Sequence, residues 1–389
     1  MRNTILLRML LTEVTQTGWV DKLSLVMQTN LDLYTDYLLS SFGQTSATNM
    51  ARLMDDQLSH DDVTRFLSQP HQIGQTLWKT VKPLVRKHQT EQGLLLVDDS
   101  LAHKPHSQEN GLVSTYFDHT SHEYVKAINF LTLLYRAGDT LLPVGLHLVI
   151  KYLQCQIKDR KEVWKAALTK NEAFRALLYQ AHQNAIPFGY VLADSCGSPP
   201  GYTNADNINA VLALKKHWFG AFKTNLEVAL SKQDRANGRF VSISTVALAV
   251  GVPREVYIRS VAVPVLVCKD ILPNKDGSVG ELLLLTTDTT MSYQQILTTY
   301  QKRWGIEDYH KSLKNNTSLQ NSPARNVTNQ STHLLASVCA FVKLERLRLT
   351  ECTNQFALKG RLYIKAIQAA LAELRLLQQN NLLSNMLTA

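Results

Sequence analysis

The sequence has few cysteines, no long uncharged apolar run and no excess of acidic residues, and each shortage excludes a class of protein. Its 5 cysteines among 389 residues form no C-x-x-C pair, which argues against a disulfide framework and a cysteine-based zinc site. No stretch approaches the about 18 uncharged apolar residues of a membrane helix. The apolar run at residues 5–11 is interrupted by Arg8 and is too short for a signal peptide. We therefore expect a cytoplasmic protein with no membrane partner.

The residues that are abundant predict a folded chain with a polyanionic partner. Apolar residues make up 45% of the sequence and charged residues 19%, which is typical of globular proteins. The 41 Lys and Arg exceed the 32 Asp and Glu, giving a net charge of +9, and such an excess favours nucleic acid. From Tyr300 onward there are 12 basic and 5 acidic side chains. Most of the surplus charge is therefore C-terminal.

Residues 1–90 show apolar residues at helical spacing and form a predicted helical, DNA-binding region. Residues 46–54 read as one helix, and Ser59 begins a second one as its N-cap. Two short helices joined by a tight turn are the helix-turn-helix pattern, whose second helix enters the major groove. Arg65 on that second helix is the candidate DNA contact. The alternative is a pair of structural helices with no role in binding.

Residues 91–217 alternate between strand-like and helical patterns, which predicts the first part of an α/β core. Apolar runs with the character of strands cover 93–97, 124–135, 141–150 and 188–193. A helix is predicted over 160–185, where alanines and apolar residues recur at helical spacing before Pro187. The first strand runs into Asp98 and Asp99, and the fourth ends at Asp194. Acidic residues therefore follow two strands of this core.

Three further regions complete the chain. Residues 218–286 are rich in strand and turn signals and are predicted to be a β-rich insertion in the core. Residues 287–325 return to helical character and form the last part of the core. Residues 326–389 form a helical C-terminal region, for which dimerisation and capping of the sheet are the two alternatives.

The most specific pattern lies at residues 300–314. On a helix that turns by about 100° per residue, Tyr300, Arg303, Glu307 and Lys314 fall on one face. That face carries one acid, two cations and a phenol. A solvated polar helix face with no function would show the same residue types.

The segment resembles the signature Y-x2-R-x3-E-x6-K of the DDE transposases of the IS4 type, which are Tn5-like. All four residues match the signature in identity and spacing. Trp304, His310 and Lys311 are also similar to this version of the helix, and with Tyr300, Arg303 and Lys314 they become candidate DNA-binding residues. The resemblance covers roughly residues 90–345 and implies an RNase H-like core.

The resemblance also implies a catalytic set of three acids, Asp99, Asp194 and Glu307. The first aspartate of the family ends the first strand and precedes Ser or Thr, which favours Asp99, followed by Ser100. Asp98 remains the alternative, because neighbouring side chains on a strand point to opposite faces and only one of the two can face a metal easily.

Three carboxylates suit two Mg²⁺ ions per active site, for which Mn²⁺ can substitute. The implied function is cut-and-paste transposition of an insertion sequence in a bacterial cell, with nucleoid association when the protein is bound to DNA. The implied partners are double-stranded DNA, as terminal inverted repeats and target, and a second copy of the chain in a homodimer. The alternatives are a catalytically silent end-binding inhibitor of transposition and a host RNase H-like nuclease.

Two other features of the sequence, a group of four histidines and a tryptophan in the β-rich region, each allow a functional interpretation. His103, His106, His119 and His122 have the spacing H-x2-H-x12-H-x2-H of a zinc module, although a site of four histidines is unusual. Trp218 in the β-rich region could stack on a flipped base, but buried tryptophan is commoner and we interpret it as a core residue.

Overall fold

The structure is a computed structural model, and it describes residues 31–54, 58–156, 162–194, 201–273 and 279–387. The first 30 residues of the predicted N-terminal region lie outside the described residues. The helices are α1 (31–40), α2 (Ala47–Leu53), α3 (His60–Ser68), α4 (Ile73–His88), α5 (Lys170–Gln183), α6 (Ala205–Ala213), α7 (Lys232–Ala236), α8 (Tyr293–Gln301), α9 (Gly305–Asn316), α10 (Val327–Glu351) and α11 (Gln355–Leu387).

The strands are β1 (Leu94–His103), β2 (Val113–Asp118), β3 (Glu123–Ala137), β4 (Thr140–Leu148), β5 (Lys151–Gln156), β6 (Glu162–Ala166), β7 (Tyr190–Ala193), β8 (His217–Ala221), β9 (Glu227–Ala229), β10 (Val241–Ser242), β11 (Arg254–Ile258), β12 (Val265–Pro273) and β13 (Val279–Thr286).

One large mixed sheet forms the centre of the molecule. Its core order is β4-β3-β1-β7-β8, in which β1, β3 and β4 are antiparallel neighbours and β7 and β8 run parallel to β1. The turn from β3 to β4 has two residues, and Gly138 in it has a φ of +60°, a conformation that glycine adopts without strain. With helices on both faces, this is an RNase H-like core, which confirms the predicted fold class.

The β-rich segment continues the same sheet. β13 pairs antiparallel with β8, and β12, β11, β9 and β10 follow outward from β13. Trp218, at the inner end of this region on β8, is completely buried, and its ring lies 5.9 Å from that of Phe174. Its place in the core confirms the structural interpretation of this tryptophan.

The two faces of β1 belong to two separate apolar cores. Leu94 and Leu96 pack in the core that also contains the apolar side chains of α9 and α10. Leu95 and Val97 pack in the opposite core, with the apolar side chains of α5. Because successive strand side chains point to opposite faces, this alternation also sets where the following acidic residues point.

The helix predicted over 160–185 is wrong at residues 162–169, and its first two residues lie outside the described residues. The structure has strand β6 there, paired with β5, and α5 begins only at Lys170. Thr169 and Glu172 form a capping box, in which each side chain accepts a hydrogen bond from the other residue's backbone N–H. Such a cap is worth about 1 kcal/mol and fixes the start of the helix. Pairing with β5 outweighs the helical spacing of the residues before it.

Four of the described helices, α3, α4, α9 and α11, pack against α10. In the described part of the N-terminal region, α3 and α4 lie against α10, and α3 buries Val63, Phe66 and Leu67. The C-terminal α11 is different, because from Arg361 to Gln379 every residue is exposed. None of the helices among the described residues is long and apolar enough to cross a membrane.

Candidate active site

Two aspartates meet at the centre of the sheet. In the parallel pairing of β1 with β7, Val97 lies opposite Ala193, so the next residues on the two strands, Asp98 and Asp194, are neighbours. Asp98 lies within β1, which continues past the acidic residues rather than ending before them as the sequence suggested. By strand alternation Asp98 shares the face of Leu96, which is the face covered by α9.

The Asp98 carboxyl ionises with difficulty. Its side chain is 22% exposed, and burial together with the Asp99 and Asp194 carboxylates raises its pKa to about 8. Carboxylates that share a site repel one another, and a cation placed between them removes the repulsion. The chemistry of this pair therefore fits a hard divalent cation, which prefers carboxylate oxygens.

Asp99 points to the other face of the sheet. Its carboxylate oxygens lie 2.6 Å from Lys170 Nζ at the start of α5 and 3.0 Å from the Tyr202 hydroxyl, which donates to it. The structure thus separates Asp99 from the face that holds Asp194. Of the two carboxyls considered for the first position, Asp98 is thus the one that lies beside Asp194.

The motif segment is not one continuous helix. α8 ends at Gln301, a 3-10 turn covers Lys302–Trp304, and α9 begins at Gly305. A 3-10 turn advances by about 120° per residue instead of about 100°. The face predicted for one straight helix is therefore divided between two helices and a turn.

Arg303, in the 3-10 turn, joins two of the predicted catalytic acids. Its guanidinium is buried and lies 3.2 Å from Asp194 and 2.9 Å from Glu307. Burial lowers the pKa of Arg303, but the attraction of the Asp194 and Glu307 carboxylates outweighs it and the pKa is raised. The Glu307 side chain is 41% exposed. The guanidinium thus lies between two carboxylates that together attract positive charge.

Two family models match the chain. The one described as DDE superfamily endonuclease matches residues 24–238, more than half of the sequence, and the one described as Transposase DDE domain matches residues 146–342. The chain belongs to the DDE transposase family.

Comparisons with individual proteins add little to this assignment. A search of curated proteins found no match. Among 11 matching chains of solved structures, one is described as the Drosophila P element transposase strand transfer complex. It is 10% identical to this transposase, with 49% of this chain and 36% of that chain covered and a TM-score of 0.22. The match thus spans about a third of that protein's length.

The remaining aromatic residues of the motif differ in exposure. Tyr300 is buried, and its ring stacks on Phe219 of β8 with 6.2 Å between centroids. Trp304 is 56% exposed, and the Arg303 guanidinium lies 5.6 Å from the centre of its ring. Of the two aromatic rings, Trp304 is the one that an external ligand can reach.

His310 lies inside the transposase core, where it cannot act as a surface contact to DNA. Its ring packs edge-on against Phe130, and its Nδ1 is 3.8 Å from Asp98. Burial and the nearby Lys314 lower its pKa to about 3. His310 is therefore neutral at physiological pH, and its contact with Asp98 is not an ion pair.

The two lysines of the motif lie in different surroundings. Lys311 is exposed, and its ammonium lies 5.5 Å from the centre of the Phe356 ring. Lys314 is half-buried in a cleft of about 450 Å³ that it shares with Asp99 and Lys170. Burial lowers the Lys314 pKa, although Asp118 and Asp98 attract its charge. Lys314 therefore faces the cleft beside the carboxylates.

Arg65 lies away from this cleft on α3. Its exposed side chain pairs with Asp62 at 3.5 Å across one helical turn, and α3 packs against α10 on its other side. The helix pair predicted from the sequence is thus present, and its turn includes residues 55–57, which lie outside the described residues.

No zinc module is present in the part of the chain that the structure describes. No three His, Cys, Asp or Glu side chains there lie close enough together to hold a metal ion. His103 Nε2 instead lies 2.9 Å from Asp118, and His119 packs edge-on against Phe117. The same result covers Asp98, Asp99, Asp194 and Glu307, of which Asp194 and Glu307 are bridged by the Arg303 guanidinium.

Sequence reasoning missed two residues at the site. Lys170 and Tyr202 hold Asp99 from the face of the sheet opposite α9. Lys170 is the first residue of α5, and the Thr169–Glu172 capping box was a local signal for that helix start. Residues 195–200, shortly before Tyr202 and including the Cys196–Ser198 segment, lie outside the described residues. No local pattern marks its contact with Asp99.

Proposed function

We propose that this DDE transposase catalyses cut-and-paste transposition of an IS4-type insertion sequence, with Asp98, Asp194 and Glu307 as the three catalytic acids. The observation that supports this most is the strand register that puts Asp98 beside Asp194, on the face covered by the helix that carries Glu307. In this proposal Asp98 is the first catalytic acid, a role for which the sequence alone favoured Asp99.

The carboxylates provide the hard oxygen ligands that two Mg²⁺ ions, or Mn²⁺, would need. The raised pKa of Asp98 supports a cation at the Asp98–Asp194 pair, and the Arg303 guanidinium shows that positive charge is attracted between Asp194 and Glu307. When bound, the metals supply Lewis-acid activation of the attacking oxygen and stabilisation of the leaving oxygen in an in-line displacement at phosphorus.

The other motif residues position the DNA strand. The Arg303 guanidinium is engaged by Asp194 and Glu307 and positions these acids, whereas Lys314 contributes a point charge to the DNA phosphates from the cleft. Trp304 and Lys311 are exposed beside the site and can contact DNA from its rim. His310 is left out of the DNA contacts, because its ring is buried against Phe130.

The partners that we propose are double-stranded DNA at the ends of the element, target DNA and a second copy of the chain. The dimer contact is assigned to α11, where Ile364, Ile367, Leu371 and Leu374 are all exposed. At about 100° per residue these four side chains fall within an arc of about 80°. They therefore form one apolar stripe along the helix, which suits packing against a second helix. Arg65 on α3 is proposed to contact DNA outside the active site. The protein is proposed to act in the cytoplasm of a bacterial cell and to associate with the nucleoid when it is bound to DNA.

The test is cleavage of DNA that carries the inverted repeats flanking the gene, with Mg²⁺ and with EDTA. Wild type should cut at the repeat ends with Mg²⁺ alone, whereas Asp98→Ala and Asp194→Ala should bind the DNA and not cut it. Asp61→Ala is the matched control, because Asp61 is an exposed aspartate on α3. Normal cutting by Asp98→Ala would overturn the assignment of this residue. End binding without cutting by wild type would identify an inhibitor, and cutting of unrelated DNA would identify a nuclease.

A further inference from the structure

An exposed aromatic pair lies at the end of the β2–β3 hairpin. Phe117 and Tyr124 are direct partners in the antiparallel pairing, and their ring centroids are 5.3 Å apart with the planes at 67°. Phe117 is 39% exposed and Tyr124 is 78% exposed. The His119 ring packs edge-on against Phe117 at 5.1 Å. These three rings, called here the hairpin platform, are held together but left open to solvent.

The hairpin platform borders the cleft that Lys314 of the motif helix lines. Phe117 and His119 line the same cleft as Lys314, Lys170 and Asp99. Asp99 is the strand neighbour of Asp98, and Lys314 belongs to the motif helix. One cleft therefore connects Lys314 and Asp99 with the rings of Phe117 and His119.

Positive charge lies on the platform side of the hairpin as well. Lys126 is exposed on β3 two residues after Tyr124, so that the two side chains project from the same face. Glu109, whose carboxylate accepts a hydrogen bond from Thr115, attracts this lysine from the same edge. Lys314, which lines the cleft together with Phe117 and His119, adds a second cation. Exposed aromatic rings with lysines nearby match a nucleic-acid strand, whose bases stack on rings and whose phosphates pair with cations.

The size of the platform argues against a protein partner. A stable protein interface buries about 800 Å² on each side, whereas two or three rings present only a small apolar patch. The π-face of one nucleobase is comparable in size to one ring. In duplex DNA that face is covered by the neighbouring base pairs, so only an unpaired base can use it.

We propose that the hairpin platform, formed by Phe117, Tyr124 and His119, binds an unpaired nucleobase of the DNA strand whose phosphate lies beside Lys314. This inference rests on the proposed function, since it extends the path of the DNA strand away from the cleavage site. Stacking of a base on an aromatic side chain is worth about 1–3 kcal/mol, so loss of both main rings should weaken binding of an unpaired end by about 10-fold or more.

The experiment compares two DNA probes by the fluorescence of 2-aminopurine. One is a duplex with a short single-stranded extension carrying 2-aminopurine, and the other is the same duplex with a blunt end. Wild type should quench the probe and prefer the extended DNA. The Phe117→Ala, Tyr124→Ala double variant should lose that preference and the quenching while it binds the blunt duplex as wild type does.

Two further variants keep the result interpretable. A Phe117→Leu, Tyr124→Leu variant retains apolar volume without aromatic faces and should behave like the alanine variant. Tyr179→Ala is the matched control, because Tyr179 is also exposed but lies on α5 outside the cleft lining.

Equal preference for the extended DNA in wild type and in both double variants would overturn the platform, even if wild type cleaves DNA normally. If wild type neither binds nor cleaves DNA, the proposed function and the platform both fail. Cleavage by wild type therefore separates the two failures.

Discussion

Replacing Asp98 by asparagine should stabilise the protein at alkaline pH, although it removes a proposed catalytic acid. Asp98 is mostly buried and is repelled by two carboxylates, which raise its pKa from 3.8 to about 8. A carboxyl whose pKa is higher in the folded than in the unfolded protein costs no stability below about pH 4. The cost grows as the pH rises toward 8 and is complete above it. Asparagine has no proton to lose and removes that cost.

The size of the effect follows from the pKa shift. One pKa unit corresponds to about 1.4 kcal/mol, so a shift of about four units sets a ceiling of about 6 kcal/mol. Asp98 keeps 22% of its side-chain exposure, and the neighbouring carboxylates can move apart when it ionises. We therefore expect Asp98→Asn to gain on the order of 3 kcal/mol at pH 9 and almost nothing at pH 4.

Asp99→Asn is the matched control, because it changes the neighbouring residue in the same way and should have the opposite effect. Asp99 receives the Lys170 ammonium at 2.6 Å and the Tyr202 hydroxyl at 3.0 Å. Loss of this charge leaves a partly buried lysine without its anion, at a cost of about 1–3 kcal/mol. Thermal unfolding at pH 5 and pH 9 in EDTA measures both variants, since a bound divalent cation would stabilise ionised Asp98. A destabilised Asp98→Asn at pH 9, or a stabilised Asp99→Asn at pH 5, where Asp98 is protonated and is not repelled by Asp99, would refute the assignment of the two faces.

Three further predictions concern the motif and the C-terminal helix. Glu307→Gln should abolish DNA cleavage but retain DNA binding in a gel-shift assay, because the neutral amide is a poor metal ligand while Asp194 still holds Arg303. Arg303→Lys should lower stability by about 1–3 kcal/mol in thermal unfolding, because a point charge cannot bridge Asp194 and Glu307 as a guanidinium does; an unchanged melting temperature would contradict the bridging role. The double change Ile367→Glu, Leu371→Glu should give a monomer in sedimentation experiments without altering the melting temperature, whereas Lys365→Glu on the other side of α11 should leave the dimer intact.

The strands could be predicted wherever the apolar pattern is local. The runs at 124–135 and 141–150 match β3 and β4 closely, since a strand buried on both faces is a nearly continuous apolar stretch. The start of α5 could not be predicted in the same way. Residues 162–166 have helical spacing but pair with β5, and a pairing partner outside the segment leaves no trace in its periodicity.

The residue types of the candidate site could be predicted from the sequence. The face of the strand or helix from which each side chain projects could not. Spacing indicated that Arg303 and Glu307 would meet, and their atoms are 2.9 Å apart, because neighbours four apart on a helix are close even after a 3-10 turn. The same reasoning placed His310 with the DNA contacts. The tertiary contact with Phe130 buries it instead, and no local pattern predicts which side of α9 faces the sheet.

The charges around Asp98 explain why this carboxyl has a strongly raised pKa. The one guanidinium in the site is engaged by Asp194 and Glu307 at 3.2 Å and 2.9 Å, and its attraction for Asp98 is weaker than burial and the repulsion from Asp99 and Asp194. The nearest ring nitrogen, His310 Nδ1 at 3.8 Å, carries no charge because the His310 pKa is about 3. The nearby cations therefore compensate ionised Asp98 less than burial and the neighbouring carboxylates oppose it. An added divalent cation would stabilise ionised Asp98, so metal binding by wild type should release a proton at neutral pH, and binding by Asp98→Asn should release none.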